Sequence, residues 1–137
     1  MLFKKKHIEL ILAGKKTQTR RLPGKSASYQ VGRVYAIKDS WFSKAEGYIL
    51  ITRKFHQKLG DISLEDAKKE GYNSLEEFRR AWEEIHGKGS WNPKQVATVY
   101  EFRVVKKRGV SETFWRLKAT TKSTKTTIKK SNQQNLR

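Results

Sequence analysis

The sequence contains no cysteine, which excludes a disulfide framework, a thiolate metal site and a cysteine nucleophile. Its histidines, His7, His56 and His86, stand far apart and form no H-x-x-x-H pair, so no metal centre is expected. There is no glycine-rich phosphate loop: GKKTQT lacks the P-loop spacing, and no Asp follows on a strand to hold magnesium. A G-x-S-x-G nucleophile elbow and internal repeats are also missing, and no cofactor is expected. Long apolar runs are absent as well. Ile8-Glu9-Leu10-Ile11-Leu12-Ala13 is short and broken by a carboxylate, so it reads as neither a secretory segment nor a membrane span. A cytoplasmic location without membrane contact is the expectation. A length of 137 residues suits one folded domain.

Acidic residues are scarce: 13 Asp and Glu stand against 31 Lys and Arg, for a net charge of +18. Residues 1–38 carry +9, residues 39–102 carry −1 and residues 103–137 carry +10. A well-solvated thermophile surface balances its two signs. Segregation of this kind points instead to a polyanion, and nucleic acid is the commonest one in a cytoplasm.

Ile8, Ile11 and Leu12 recur at helical spacing within Lys4–Ala13, and Gly14 suits the position just past a helix end. Lys15–Arg21 reads as extended and stops at Leu22-Pro23-Gly24. Arg33–Lys38 and Gly47–Gln57 read as strands, the second apolar enough to be covered on both sides. Ser63-Leu64-Glu65-Asp66 opens a short helix with a box-like pattern, and Gly71 lies just past its end. Ser74-Leu75-Glu76-Glu77 opens a second helix with a full capping box and a stripe of Leu75, Phe78, Trp82 and Ile85. Val96–Lys106 alternates as a further strand. The order predicts a small α+β domain over residues 1–109, a curled sheet or partial barrel with helices at its ends. Residues 110–137 are rich in Lys, Thr, Ser and Gln and predict a flexible basic extension.

The segment with chemical content is Gly14–Arg21, which packs two Lys, two Arg and two Thr into eight residues. A solvated basic loop is the plain structural reading. Against it, hydroxyls interleave the cations, and neighbouring cations disfavour protonation of a lysine, a route to a basic or nucleophilic amine. Gly14, Lys16, Thr19 and Arg21 satisfy the pattern G-x-K-x-x-T-x-R after an apolar helix (HIELILAGKKTQTRR). Together with YQVGRVYAI, the acidic two-helix insert and VATVYEFRVV, this resembles the ASCH domain family of the PUA-like superfamily over residues 1–106.

The resemblance implies a small PUA-like β-barrel with helices packed around a cleft that takes RNA or a modified nucleoside. It also implies, through members that deacetylate 4-acetylcytidine, a catalytic set of Lys16, Thr19 and Glu70. Amide hydrolysis needs a nucleophile, a base, an acid for the departing amine and positive charge for the oxyanion. Thr19 could attack, Lys16 could take its proton, Glu70 could serve the cytosine amine, and Arg21 or backbone amides could hold the oxyanion. Residues three apart on a regular strand face opposite ways, so this set requires a bend after Gly14. Without the resemblance, Glu70 reads as a helix-end carboxylate paired with Lys68 or Lys69.

Lys15, Arg20, Arg21, Lys25 and Arg33 are the candidate phosphate contacts. Trp41 and Trp91, placed in loops, are candidates for stacking on a base, while Trp82 belongs to the core stripe. The excess of charge is larger than a free nucleoside needs. The sequence is therefore read as an RNA-binding domain protein, with an amidohydrolase acting on 4-acetylcytidine and a ribonuclease as alternatives.

Overall fold

Helix α1, Lys5–Leu12, buries Ile8 and Ile11 and leaves its lysine face in solvent. In the computed structural model, which describes residues 1–24 and 28–106, the helix is closed by Gly14 at φ +78°. The amides of Lys15 and Lys16 both donate to the carbonyl of Leu10, which turns the chain off the helix axis. Thr17 then donates to the Lys69 carbonyl at 2.8 Å and accepts from the Phe102 amide at 3.0 Å. The expected bend is present, and strand β1, Gln18–Arg21, starts only beyond it.

Strands β2 (Val34–Ile37), β3 (Gly47–Lys58) and β4 (Val96–Val105) complete a curled four-stranded half-barrel in the order β1-β4-β3-β2. β1 lies antiparallel to β4 with Thr19 opposite Tyr100, and β2 antiparallel to β3 with Val34 opposite Leu50. Each face of the sheet feeds a hydrophobic cluster. Tyr100 and Phe102 enter one with Ile8, Ile11, Ile37, Ile49 and Ile51, and Ala97 enters the other with Leu59, Ile62, Phe78 and Trp82. Opposite directions for even and odd residues of β4 follow from the period-two pleat.

β3 departs from expectation. It is not covered on both sides: Ile49 and Ile51 are buried, but from Thr52 onward the strand is mostly exposed. At twelve residues it runs well past the four-residue β2, and its far half keeps one face in solvent. The doubly covered strand is β4, where Ala97, Thr98, Val99 and Tyr100 are buried in succession.

A 3-10 turn, Leu59–Asp61, leads to helices α2 (Leu64–Lys69) and α3 (Leu75–His86). The two caps exchange the roles expected of them. Ser63 and Asp66 form the reciprocal box. Ser74 accepts from the Glu77 amide, but the Glu77 carboxylate takes the Asn73 amide at 2.7 Å instead of that of Ser74. On α3 only Phe78 and Trp82 of the stripe are buried, while Leu75 and Ile85 remain exposed at the ends. Among the described residues no helix is long and apolar enough to cross a membrane. The boundary expected at 109, the extension 110–137 and Lys25 lie outside the described residues.

Candidate active site

The turn after α1 delivers Lys16 to the C-terminal end of α2, where Glu70 is the capping residue. Lys16 Nζ donates to Glu70 Oε1 at 3.0 Å and to the Glu70 carbonyl oxygen at 2.8 Å. Both side chains are buried, at 3% and 5% exposure. Desolvation pushes the Lys16 amine below its ordinary value, with Arg21 and Arg20 acting the same way and Glu70 opposing. The second carboxylate oxygen of Glu70 accepts from Arg20 Nη1 at 2.9 Å. Glu70 is thus paired with Lys16 and Arg20, not with its neighbours Lys68 and Lys69.

Arg20 was expected to grip phosphate, and the structure corrects this. Its side chain is 1% exposed, and its remaining donors go to Gln57 Oε1 (3.2 and 2.6 Å) and to Gln18 Oε1. Gln18 in turn donates to Glu101 Oε2 at 2.8 Å. A buried guanidinium without such partners would carry a large desolvation cost, so Arg20 is committed to the interior. No local signal reveals Gln18 and Gln57, apart from the placing of polar Gln18 two residues before Arg20 on the same strand face.

Thr19 and Arg21 point to the other face of β1. Thr19 is 5% exposed, and its Oγ1 accepts a long contact from Arg21 Nε at 3.4 Å. Arg21 Nη2 donates to the Leu2 carbonyl at 2.8 Å, and its guanidinium sits 4.9 Å from the Phe3 ring centroid. Burial lowers the Arg21 pKa.

Lys16, Thr19, Arg20, Arg21 and Glu70 share the wall of one cavity of about 480 Å³. That size falls within the range of small-molecule sites. Leu2, Phe3, Leu22, Phe78, Trp82 and Ile85 supply apolar walls, and Lys4, Asp39 and His86 also line it. Two lining residues escaped the sequence reading. His7 of α1, dismissed there as a lone histidine, and Tyr72, between the two insert helices, meet at 3.1 Å between Nε2 and the phenol oxygen. Burial, aided chiefly by Lys16, lowers His7 to about 4, and burial raises Tyr72.

The other candidates are dispersed. Lys15 is exposed and lines a second groove of about 530 Å³ with Lys6, Lys68 and Arg80. Arg33 is exposed just ahead of β2. Trp41 is 62% exposed in the loop after β2 and does not line the cavity. Trp91 is not a free stacking platform. It meets Phe78 edge to face at 6.1 Å, lies under the Arg79 guanidinium at 5.6 Å, and caps the second cluster.

A curled four-stranded sheet with three helices and a charged cavity defines a small α+β domain. No protein-family model and no curated protein sequence matches the chain. Solved structures do. The chain is similar to the ASCH domain from Lactobacillus crispatus JV V101, with TM-score 0.62 and 21% identity over 72% of this chain and 69% of that one. It is also similar to protein EF3133 from Enterococcus faecalis V583, of the family DUF984, with TM-score 0.53 and 19% identity over 71% and 65% of the two chains. A variant of an ASCH protein from Zymomonas mobilis gives TM-score 0.52 and 15% identity over 77% and 71%. The fold is that of ASCH domains.

Proposed function

We propose that the domain is an amidohydrolase that removes the acetyl group from 4-acetylcytidine. The observation that carries this reading is the buried Lys16–Glu70 pair on the wall of a cavity that Thr19 also lines. A phosphate grip has no use for a desolvated lysine held by a carboxylate, whereas acyl transfer has a use for each member. The resemblance of Gly14, Lys16, Thr19 and Arg21 to the ASCH signature supports the same assignment.

In this mechanism the deprotonated fraction of Lys16, whose loss of a proton burial eases, takes the proton of Thr19 Oγ1 as that oxygen attacks the acetyl carbonyl carbon. Arg21, whose Nε already reaches Oγ1, holds the oxyanion. Collapse breaks the bond from carbonyl carbon to N4, and Lys16 returns the proton to the departing amine. Glu70, braced by Arg20, keeps Lys16 in place and accepts an N–H from that amine. Water then attacks the threonine ester with Lys16 again as base, releasing acetate and restoring Thr19.

The test is incubation with 4-acetylcytidine while following cytidine by chromatography. Release by the unaltered protein that is lost in Lys16→Ala, Thr19→Ala and Glu70→Ala is expected. No release by the unaltered protein, or activity that survives these changes, defeats the reading.

A second reading, RNA as the partner that presents the modified base, is favoured by the second groove. Lys6, Lys15, Lys68 and Arg80 line it, and among the described residues none of them forms an ion pair, although Glu77 and Glu84 share the groove. Binding to a short oligoribonucleotide should weaken steeply with salt, since neutralised phosphates release counterions. Binding that is absent at low salt, or indifferent to salt, overturns it.

A further inference from the structure

The proposed chemistry leaves several polar groups of the cavity without a task, His7 and Tyr72 among them. His7 and Tyr72 come from elements 65 positions apart, yet Tyr72 O and His7 Nε2 lie 3.1 Å apart and their rings meet edge to face at 5.6 Å. Tyr72 also packs on Phe78 at 5.7 Å, so the phenol ring is held from two sides. Both residues line the cavity that holds Lys16, Thr19 and Glu70. The cluster around Tyr72 contains apolar side chains that a phenylalanine would serve as well. The hydroxyl therefore calls for a reason other than packing.

Protonation decides what the pair can offer. His7 is held neutral at pH 7 by its burial and by Lys16, and Tyr72 keeps its proton. With His7 neutral we assign Nε2 as the acceptor of the phenol proton. The two lone pairs of the Tyr72 oxygen then remain for the cavity, made better acceptors by the donation to His7. The site thus gains an uncharged acceptor beside the charged Lys16–Glu70 pair.

We propose that Tyr72, oriented by His7, is a specificity-determining contact that accepts the exocyclic N–H of the cytosine base. His7 is a positioning residue, since it acts through Tyr72. The inference rests on the proposed ligand but not on its turnover. An amino-pyrimidine satisfies the acceptor, whereas uridine, with a carbonyl at that position, sets oxygen against oxygen. Selection for cytosine over uracil follows from one phenol.

The experiment titrates the unaltered protein with cytidine, the reaction product, which cannot turn over. N4,N4-dimethylcytidine, which lacks the N–H, serves as the control. Tyr72→Phe is expected to weaken cytidine binding about tenfold while leaving the dimethylated compound unaffected. His7→Phe, which preserves the ring contact, is expected to reproduce most of that loss. The double variant should bind no more weakly than Tyr72→Phe alone, because the two residues act as one unit. Equal cytidine affinity in Tyr72→Phe, an equal loss for both compounds, or fully additive losses in the double variant would each overturn the proposal. So would failure of the unaltered protein to bind cytidine. If cytidine follows the expected pattern while 4-acetylcytidine releases no cytidine, the hydrolase reading falls and the Tyr72 contact stands.

Discussion

Lys16 Nζ lies 3.0 Å from Glu70 Oε1 and 2.8 Å from the carbonyl oxygen of the same residue, across 54 positions of chain. The lysine therefore neutralises the carboxylate and also caps the buried carbonyl at the end of α2, so one amine fixes both a charge and a helix terminus. Arg20 approaches the same carboxylate from the other side at 2.9 Å. The pair is an element of folding as much as a candidate catalytic group.

That arrangement predicts an asymmetry between the partners. Glu70→Ala strands the buried Lys16 and leaves Arg20 only the Asp66 carboxylate at 3.6 Å, and should cost about 3–5 kcal/mol. Lys16→Met leaves Glu70 with Arg20 and should cost less, about 1–2 kcal/mol. Urea unfolding at constant m-value compares the two, and a larger loss from Lys16→Met would contradict the bridge described.

Arg20→Lys should also destabilise, by about 1–3 kcal/mol, because an ammonium cannot span Gln18, Gln57 and Glu70 at once. The salt slope of oligoribonucleotide binding should be the same in this variant as in the unaltered protein. Lys15→Glu should do the reverse, flattening the slope and leaving the urea midpoint nearly unmoved.

The contrast between Arg20 and Lys15 shows how far the sequence was legible. Element order and the end of α1 at Gly14 follow from local periodicity and turn chemistry, whereas the bend before Thr19 is required only by the residue set that the resemblance implies, and all three are where expected. Whether a cation in KKTQTRR faces water or an ion pair depends on residues 37 and 50 positions away, Gln57 and Glu70, which no local pattern reveals. Glu70 entered the candidate site through family resemblance alone. Trp91 was misjudged and the place of His7 in the cavity went unseen for the same reason: their partners Phe78 and Tyr72 belong to other segments. The run Tyr48–Thr52 suggested a doubly covered strand, but apolar content does not say which strand will be covered on both faces. Both β3 and β4 are interior to the sheet, but only β4 has consecutive residues of both faces buried.

Thr19 separates chemistry from stability. Its hydroxyl makes only a 3.4 Å contact with Arg21, so Thr19→Ala should shift unfolding by less than about 1 kcal/mol. As nucleophile, the hydroxyl should be indispensable: Thr19→Ala should lower kcat for 4-acetylcytidine about a thousandfold or more, and Thr19→Ser should retain substantial activity. A Thr19→Ala protein that releases cytidine at the original rate removes the nucleophile from the scheme.

His7 imposes a pH dependence whose sign is fixed. Its ordinary value is 6.5, and burial, with Lys16, Lys6 and Lys4, brings it to about 4 in the folded protein, while Glu70 pulls the other way. Between those values the unfolded chain binds a proton that the folded chain refuses. Stability from this group is therefore complete above pH 6.5 and declines as pH falls toward 4. The residue is only half-buried, so solvent screening limits the effect to about 1–2 kcal/mol. His7→Asn should show a shallower loss between pH 6.5 and 4 in parallel urea titrations, and identical slopes would refute the assignment.

Gly71 links Glu70 to Tyr72 and adopts φ +102°, a left-handed conformation that side chains rarely tolerate. A Cβ there would lie 2.9 Å from Leu10 Cδ1, the flexible end of a leucine on α1, and 3.8 Å from Lys16 Cβ. The leucine tip can move aside, so the backbone conformation supplies most of the cost. Gly71→Ala should destabilise by about 1–2 kcal/mol, and the same loss should persist in a Leu10→Ala background, where the clash is gone. If Leu10→Ala restores the midpoint, crowding and not the backbone is the reason for glycine. Because Gly71 joins the lysine-bound carboxylate to the phenol, Gly71→Ala should also weaken cytidine binding, as a shift of either neighbour misplaces a cavity contact.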